Sequence, residues 1–556
     1  MRAACSASYR AASGSQTETE ASALQQYETI IIGGGLTGIY QLYRLLELGM
    51  DTVVLEAADD LGGTWYHNRY PGCRFDSESY TYGYSFSKEL LDEWHWTEHF
   101  SPQPETLRYL NHVADKFDLR QHMRFGCRVK TAVYDEDTNR WTVSLESGEN
   151  FRCRILITAI GVLSTPVMPK LDGIDQFRGP SFHTYHWPRE PVELRGKRVA
   201  IIGTGATAVQ LIPEVAKQAA QLYVMQRRPN WCAPLHNAPI DAAEMADIRS
   251  RYDEIFAQCF KTAGGFIHGH DRRKLFEVPE TERRKFFEEL YASSGFRIWL
   301  GNFRDVLMDE AANEEFTQFI AEKIRQRVNN PEVAEKLIPK DHGFGTRRVP
   351  METNFYETFN RPTVELVDLN ESPIECITAT GVRTSARDYD VDLIVYATGF
   401  DAMTGAFDRI DFVGLDGEHL SDKWRDGPIT YLGLQSAGFP NLLMLAGPQS
   451  GSGFTNFGRG VEEGVDWATA MLAYMRDNGF ETIATTSEFE DAWVEEVKEL
   501  YGLLLLGKVK SWFTGYNSNI EGRDKMRYLA YNGGAPRYRK TLAEVAQSGY
   551  QGFELS

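Results

Sequence analysis

Apolar and polar positions along this chain alternate in blocks of two textures. Tyr27-Glu-Thr-Ile-Ile-Ile32 is a short apolar run that turns at Gly33 into a helix-like stretch from Leu36 to Leu48 and returns as Thr52-Val-Val-Leu-Glu56. Strand, helix and strand in that order predict a βαβ unit. The pattern recurs at Lys197-Arg-Val-Ala-Ile-Ile202, which turns at Gly203, continues as a helix to about Ala220 and returns as Leu222-Tyr-Val-Met-Gln226. From Ile240 to about Pro339 the texture becomes charged amphipathic helix, with Phe316, Ile320, Ile324 and Val328 repeating on one face. Strand texture resumes at Val364-Glu-Leu-Val367 and Asp392-Leu-Ile-Val-Tyr396.

The expected fold is therefore α/β, with two Rossmann-like dinucleotide-binding domains and a helical insertion in the second. The expected division is a disordered N-terminal tail (1–26), a first dinucleotide domain (27–165), and the opening part of a second (166–235). The insertion (236–343), the rest of the second domain (344–394) and a return to the first (395–556) follow.

At 556 residues the chain is too long for one hydrophobic core, and 42% hydrophobic residues suffice to build several. Lys+Arg 59 against Asp+Glu 78 gives a formal charge of -19, which argues against nucleic acid or anionic lipid as a partner and suits a neutral substrate. The most apolar stretches, Ile155 to Ile160 and Leu503 to Leu506, are sized for a core and not for a membrane span. Cysteines at 5, 73, 127, 153, 232, 259 and 376 form no Cys-x-x-Cys pair or ligand cluster. They predict inert thiols, no metal and a reducing, cytoplasmic setting. The Ala- and Ser-rich start has no acid before Glu18, which leaves open an organelle-targeting segment, although only Arg2 and Arg10 supply charge there.

Gly33-Gly-Gly-Leu-Thr-Gly38 is a G-x-G-x-x-G set between strand and helix, with Glu56 at the end of the following strand. Gly33 permits the tight turn, Gly35 the approach of a pyrophosphate and Gly38 close helix–strand packing, while Glu56 is placed for ribose hydroxyls. Gly203-Thr204-Gly205-Ala206-Thr207-Ala208 is a second such turn with a small residue at its third position. Its following strand ends in Arg227 and Arg228 instead of an acid. Guanidinium groups there match a 2′-phosphate and favour NADPH over NADH; the alternative is a merely solvated strand end.

Two dinucleotide sites in one chain suggest a flavin reduced by a nicotinamide. A disulfide reductase would need a cysteine pair, so dioxygen is the expected electron acceptor.

Between the two turns lies Phe177-Arg-Gly179-Pro-Ser-Phe-His183-Thr-Tyr-His-Trp187-Pro188. It resembles the F-x-G-x-x-x-H-x-x-x-W-P fingerprint of type I Baeyer–Villiger monooxygenases and matches every fixed position. His183 and Trp187 would couple the two nucleotide domains; taken alone, each reads as core packing. Gly62-Gly-Thr64-Trp65-Tyr-His-Asn-Arg-Tyr-Pro-Gly-Cys-Arg-Phe-Asp76 and Ala397-Thr-Gly-Phe-Asp401 match further family patterns, and the resemblance runs from Tyr27 to Leu555, closest to phenylacetone and steroid monooxygenases.

The resemblance implies FAD and NADPH as cofactors, a small hydrophobic ketone and dioxygen as substrates, and NADP+ retained to protect the oxygenated flavin. It implies attack of a C4a-peroxyflavin on the ketone, a Criegee adduct, and an ester or lactone as product. By it Arg348 is similar to the catalytic arginine and Asp76 to the carboxylate that positions it, whereas alone Arg348 would read as a surface ion-pair partner.

Thr64, Trp65, Asp76, Tyr82, Val129 and Phe457 would lie against FAD. Arg347, where the family usually has Lys, and Trp512 would contact NADP, the plain alternative for Trp512 being a core position. Gly447-Pro-Gln449-Ser-Gly451-Ser-Gly453-Phe454-Thr-Asn-Phe457 would approach the flavin and line the ketone pocket. Its Gln449, Gly451 and Gly453 depart from the phenylacetone type, which bars copying that substrate range. The rival activities are oxygenation of sulfides or amines by a related flavin monooxygenase, and an uncoupled NADPH oxidase or non-catalytic nucleotide-binding regulator that would not need Asp76 or Arg348.

Overall fold

The computed structural model describes residues 24–451 and 455–556. Each G-x-G-x-x turn stands at the carboxyl end of an interior strand that pairs in parallel with both neighbours. In the first, the strand Gln25–Ile32 pairs in parallel with Thr52–Leu55 on one side and Asn150–Thr158 on the other. Ile30 and Ile31 are fully enclosed, Ile31 in the cluster with Ile39 and Leu42 of the following helix and Ile30 in the one with Trp141, Val143 and Phe412, and a strand buried on both faces reads as an unbroken apolar run.

Strand Asn150–Thr158 pairs antiparallel with Arg140–Leu145 through its first half, and in parallel with Leu442–Met444 through its second. The last segment arrives from the far end of the chain, so the first sheet is completed only there.

The second sheet orders Val364–Asp368, Gln221–Gln226, Arg198–Ile202, Leu393–Tyr396 and Ser181–His183, every pairing parallel. It draws strands from both sides of a helical stretch that includes Ala242–Ser250, Tyr252–Lys261, Glu280–Tyr291 and Glu310–Arg327. Phe316, Ile320 and Ile324 form the buried stripe of the last of these. Val328 is also buried but caps the helix from outside.

Two readings of the sequence shift. The first strand begins at Gln25, two residues inside the expected tail, because Gln25 and Gln26 pair through their backbones with Phe151 and Arg152 while their side chains face solvent. Residues 1–23 of that expected tail lie outside the described residues. The second crossover helix stops at Ala216, and Ala220 donates its N–H to Lys197 O at 2.9 Å as the chain turns into the next strand. Among the described residues no helix is long and apolar enough to cross a membrane, and the six described cysteines are free thiols, five of them buried.

Candidate functional site

A cavity of about 1120 Å³ starts at the first glycine turn and ends among aromatic and aliphatic side chains of the helical stretch. Gly33, Gly35 and Glu56 line its polar end. Gly33 has φ +107°, and a Cβ there would come within 2.5 Å of Ala159 O, so only glycine seats the turn against the neighbouring strand. Gly38 is pressed in the same way onto Gly33 O. The helix Leu36–Glu47 that follows has no side-chain cap, which leaves N–H groups of its first turn directed at this end of the cavity.

Glu56 accepts from Gly34 N at 2.6 Å and from Ala58 N at 2.7 Å. Burial raises its carboxyl pKa, and these N–H donors oppose that rise. Its role toward the turn itself was not legible in the sequence.

Thr64, Trp65, Asp76, Tyr82, Val129, Phe457 and Trp512 line the same cavity. Trp65 donates from Nε1 to Tyr82 Oη at 3.0 Å, and Phe75 stacks on Tyr82 at 4.4 Å, so this wall is locked side chain by side chain.

Next to it Arg348 donates from Nη2 to Asp76 Oδ2 at 2.8 Å and from Nη1 to its neighbour's carbonyl, Val349 O, at 2.8 Å. The guanidinium lies 4.6 Å from the ring centroid of Phe296 and 5.8 Å from that of Trp299. Burial pushes the Asp76 carboxyl up, and the Arg348 charge and hydrogen bond pull it back down. Arg348 is thus held by a carboxylate at one edge and two π-faces, and it lines the cavity where Phe266, Leu300, Leu307, Leu504 and Leu506 make the wall apolar.

The second turn has its own seat. Gly203 has φ +112° and abuts Ala397 O, Thr204 Oγ1 donates to Arg228 O at 3.0 Å, and Gly205 caps the helix Ala206–Ala216, which has Ala206 and Thr207 in its first turn. None of Gly203, Thr204, Gly205, Ala206 or Thr207 lines the main cavity. Arg228 is exposed, Arg227 donates to Asn519 Oδ1 at 3.1 Å, and Arg347 pairs with Asp341 at 3.0 Å, with its Nε buried and without a partner among the described residues.

The fingerprint stands beside the cavity, not on it. His183 is enclosed; its Nδ1 accepts from Tyr185 N at 3.1 Å, which leaves Nε2 to donate to Gly399 O at 3.1 Å. Burial lowers its pKa to about 4, so the ring is neutral. Gly399 belongs to the segment that leads from the second sheet back to the first, and its carbonyl is held by His183 together with Val167 N at 2.9 Å.

Phe177 packs over Gly179, where a Cβ would meet both the Phe177 ring and Asp392 O at 2.8 Å. Trp187 is buried edge-on to Phe182 at 4.9 Å, and Pro188 follows it. The segment reaches the cavity through Tyr185 and His186, with Tyr185 stacked on His67 at 4.4 Å.

The loop before Phe457 divides. Gly451, Thr455 and Phe457 line the cavity, but Gln449 turns into the core, where Thr430 donates to its Oε1 at 2.7 Å and its Nε2 donates to Pro428 O at 2.8 Å. Gln449 is therefore structural, a correction to its placement in the ketone pocket; Gly453 and Phe454 lie outside the described residues. Phe266, Phe296 and Trp299 were missed because the helical texture around them gives no motif.

Residues 27–256 match the model of the FMO-like family, described as flavin-binding monooxygenase-like. The chain is 48% identical over 95% of its length to 2-oxo-Δ3-4,5,5-trimethylcyclopentenylacetyl-CoA monooxygenase of Pseudomonas putida, covering 98% of that protein. It is 40% identical to phenazine N-monooxygenase PhzNO1 of Lysobacter antibioticus over 95% of this chain and 97% of that one. The crystal structure of OTEMO in complex with FAD and NADP superposes with a TM-score of 0.92 at 47% identity, covering 95% of this chain and 99% of that one. The chain belongs to the flavin-binding monooxygenase family. Within that family it is a type I Baeyer–Villiger monooxygenase.

Proposed function

We propose that this protein uses NADPH, FAD and dioxygen to insert one oxygen atom beside the carbonyl of a small hydrophobic ketone, giving an ester or lactone, and that it works in the cytoplasm. The observation that carries the reading is the Asp76–Arg348 pair, set at the junction of the glycine-turn cavity and its apolar end.

The residues suit both cofactors. The uncapped helix after Gly35, the Glu56 carboxylate and the long cavity suit FAD, its volume exceeding the roughly 300–1,000 Å³ of ordinary small-molecule clefts. Gly203 to Thr207 would take the NADP pyrophosphate, with Arg227, Arg228 and Arg347 around the 2′-phosphate and Trp512 nearer the nicotinamide. FAD, reduced by NADPH, supplies the activated oxygen when bound.

The chain's part is electrostatic and geometric. Phe266, Phe296 and the leucines hold the ketone and exclude water, while the Arg348 guanidinium stabilises the negative charge that grows on the carbonyl oxygen as that carbon becomes tetrahedral. Asp76 and the two aromatic faces fix the guanidinium beforehand, so little reorganisation is needed at the moment of reaction. His183 keeps the inter-sheet segment in register without touching the reactants.

A second reading, oxygenation at nitrogen or sulfur, draws support from the relative named for phenazine N-oxygenation. It needs no anion stabiliser, and the cavity has one. The test is NADPH consumption by FAD-loaded protein under air with phenylacetone, a cyclic ketone, a steroid ketone, a sulfide and an N-heteroaromatic. Ester or lactone one oxygen heavier than the ketone supports the first reading. Only sulfoxide or N-oxide supports the second, and hydrogen peroxide alone supports neither.

A further inference from the structure

Behind the wall that faces Arg348, a second ionisable pair ties the helical stretch to the segment that carries Asp76. The Glu78 carboxylate and His268 Nε2 are 2.6 Å apart, and the two side chains are 4% and 11% exposed. Glu78 is also met from another direction, since a Cβ built at Gly295 would lie 3.1 Å from Glu78 Oε1. These two contacts flank the aromatic wall. Phe266 precedes His268 by two residues, Phe296 follows Gly295, and their rings meet edge-on at 5.2 Å.

On its own side Glu78 stands between Asp76 and Tyr82, and its carbonyl accepts from Thr81 N at 2.9 Å and Tyr82 N at 3.1 Å. Its second carboxylate oxygen is buried with no hydrogen-bond partner among the described residues, so the His268 ring is the side chain that holds this carboxylate.

We propose that Glu78 and His268 are a positioning pair that fixes the aromatic wall relative to Asp76, and so sets how the Arg348 guanidinium is held between carboxylate and ring. Neither side chain lines the main cavity, which makes them positioning and not catalytic residues. The proposal rests on the reading of Arg348 as the stabiliser of the ketone oxygen. A displacement of about 1 Å at such a group costs on the order of 10²-fold in rate.

His268 also lines a separate polar surface pocket of about 710 Å³ with His236, Ser293, Ser294 and Arg297, which gives free imidazole a route to its place. The experiment uses the FAD-loaded full chain and compares wild type, His268→Ala and Glu78→Gln for flavin content, rate of flavin reduction by NADPH, kcat and KM for a ketone, and the ratio of ester to hydrogen peroxide. The expected result for His268→Ala is normal flavin reduction and ketone KM, with ester formation down roughly ten- to a hundredfold, hydrogen peroxide in its place, and recovery on adding imidazole.

Glu78→Gln, which keeps a neutral hydrogen bond and avoids a stranded charge, is expected to show a smaller shift in the same ratio and carries the test if His268→Ala does not fold. A wild-type ester-to-peroxide ratio in both variants overturns the proposal. So does a loss that tracks flavin content and is not rescued by imidazole, because that is a folding role alone. A wild-type enzyme that oxygenates no ketone overturns the parent reading and this proposal with it.

Discussion

Arg348 and Asp76, 272 positions apart in the chain, meet through one hydrogen bond of 2.8 Å on the wall of the principal cavity. Neither residue sits in a glycine turn, so replacing Arg348 leaves the first turn intact. Arg348→Ala is expected to keep FAD and to oxidise NADPH, releasing hydrogen peroxide, with ester formation reduced by roughly 10²–10³-fold or more. Parallel assays of NADPH, peroxide and ester check this; ester formation at the wild-type rate would falsify the role given to Arg348.

Phe296→Leu removes the ring from the guanidinium while keeping an apolar side chain in the wall. A cation–π contact of this kind is worth about 0.5–2 kcal/mol, so kcat is expected to fall by a few- to roughly thirtyfold with little change in thermal stability. Steady-state kinetics beside a melting curve separates the two effects, and an unchanged kcat would remove the aromatic face from the mechanism.

The two glycine turns predict distinguishable losses. Gly38→Ala forces a methyl onto Gly33 O and should yield protein without flavin, whereas Gly203→Ala forces one onto Ala397 O and should yield yellow protein that NADPH no longer reduces. Absorbance of the purified variants, followed by anaerobic titration with NADPH, reads both. Colourless Gly203→Ala would mean that the second turn supports the first site.

Arg228→Ala is expected to raise the KM for NADPH by about tenfold or more and to leave that for NADH nearly unchanged, since only the former carries the 2′-phosphate. Equal effects on both coenzymes would move Arg228 out of the discriminating site.

His183 gives a pH dependence of known sign. Its pKa is about 4 in the fold and 6.5 by reference, so as pH falls from 6.5 toward 4 the unfolded chain takes up a proton that the folded chain refuses. Stability is therefore fully present above about 6.5 and is lost as pH falls through this window, by about 3 kcal/mol from this residue. Melting temperatures at pH 7.5 and 5 should differ less for His183→Gln than for wild type, even if the variant is weaker at both; an identical difference would contradict the assignment.

Both dinucleotide folds were legible in the sequence because their signal is local. Ile30 to Gly33 and Ala200 to Gly203 place an apolar run and a turn side by side, and the physics of a strand buried on both faces needs no distant information. Arg348 and Asp76 were reached by family resemblance alone, since nothing in their spacing says that they touch. The aromatic support under Arg348 was not legible at all: Phe296 precedes and Trp299 sits in a four-residue helix, Arg297–Leu300, too short to leave a periodic pattern. Gln449 misled because proximity in sequence to Gly451 and Phe457 does not fix which way a side chain with left-handed backbone, φ +64°, will turn. The early start of the first strand at Gln25 escaped for a similar reason, as backbone pairing with exposed side chains has no apolar mark.

The late strand Leu442–Met444, laid against Leu156–Thr158, has a consequence for how the molecule comes into being. A ribosome that has released the whole first βαβ unit has still to deliver most of the polypeptide before that sheet gains its last parallel neighbour. Pairing across so long a separation is slow, and domains fold in the order they emerge only when their parts are contiguous. The segment from Arg198 to Tyr396 can assemble during synthesis, while the first sheet waits for Leu442–Met444. Truncating the chain just before Leu442 would therefore spare the second sheet and leave Leu156–Thr158 of the first without a partner on that side.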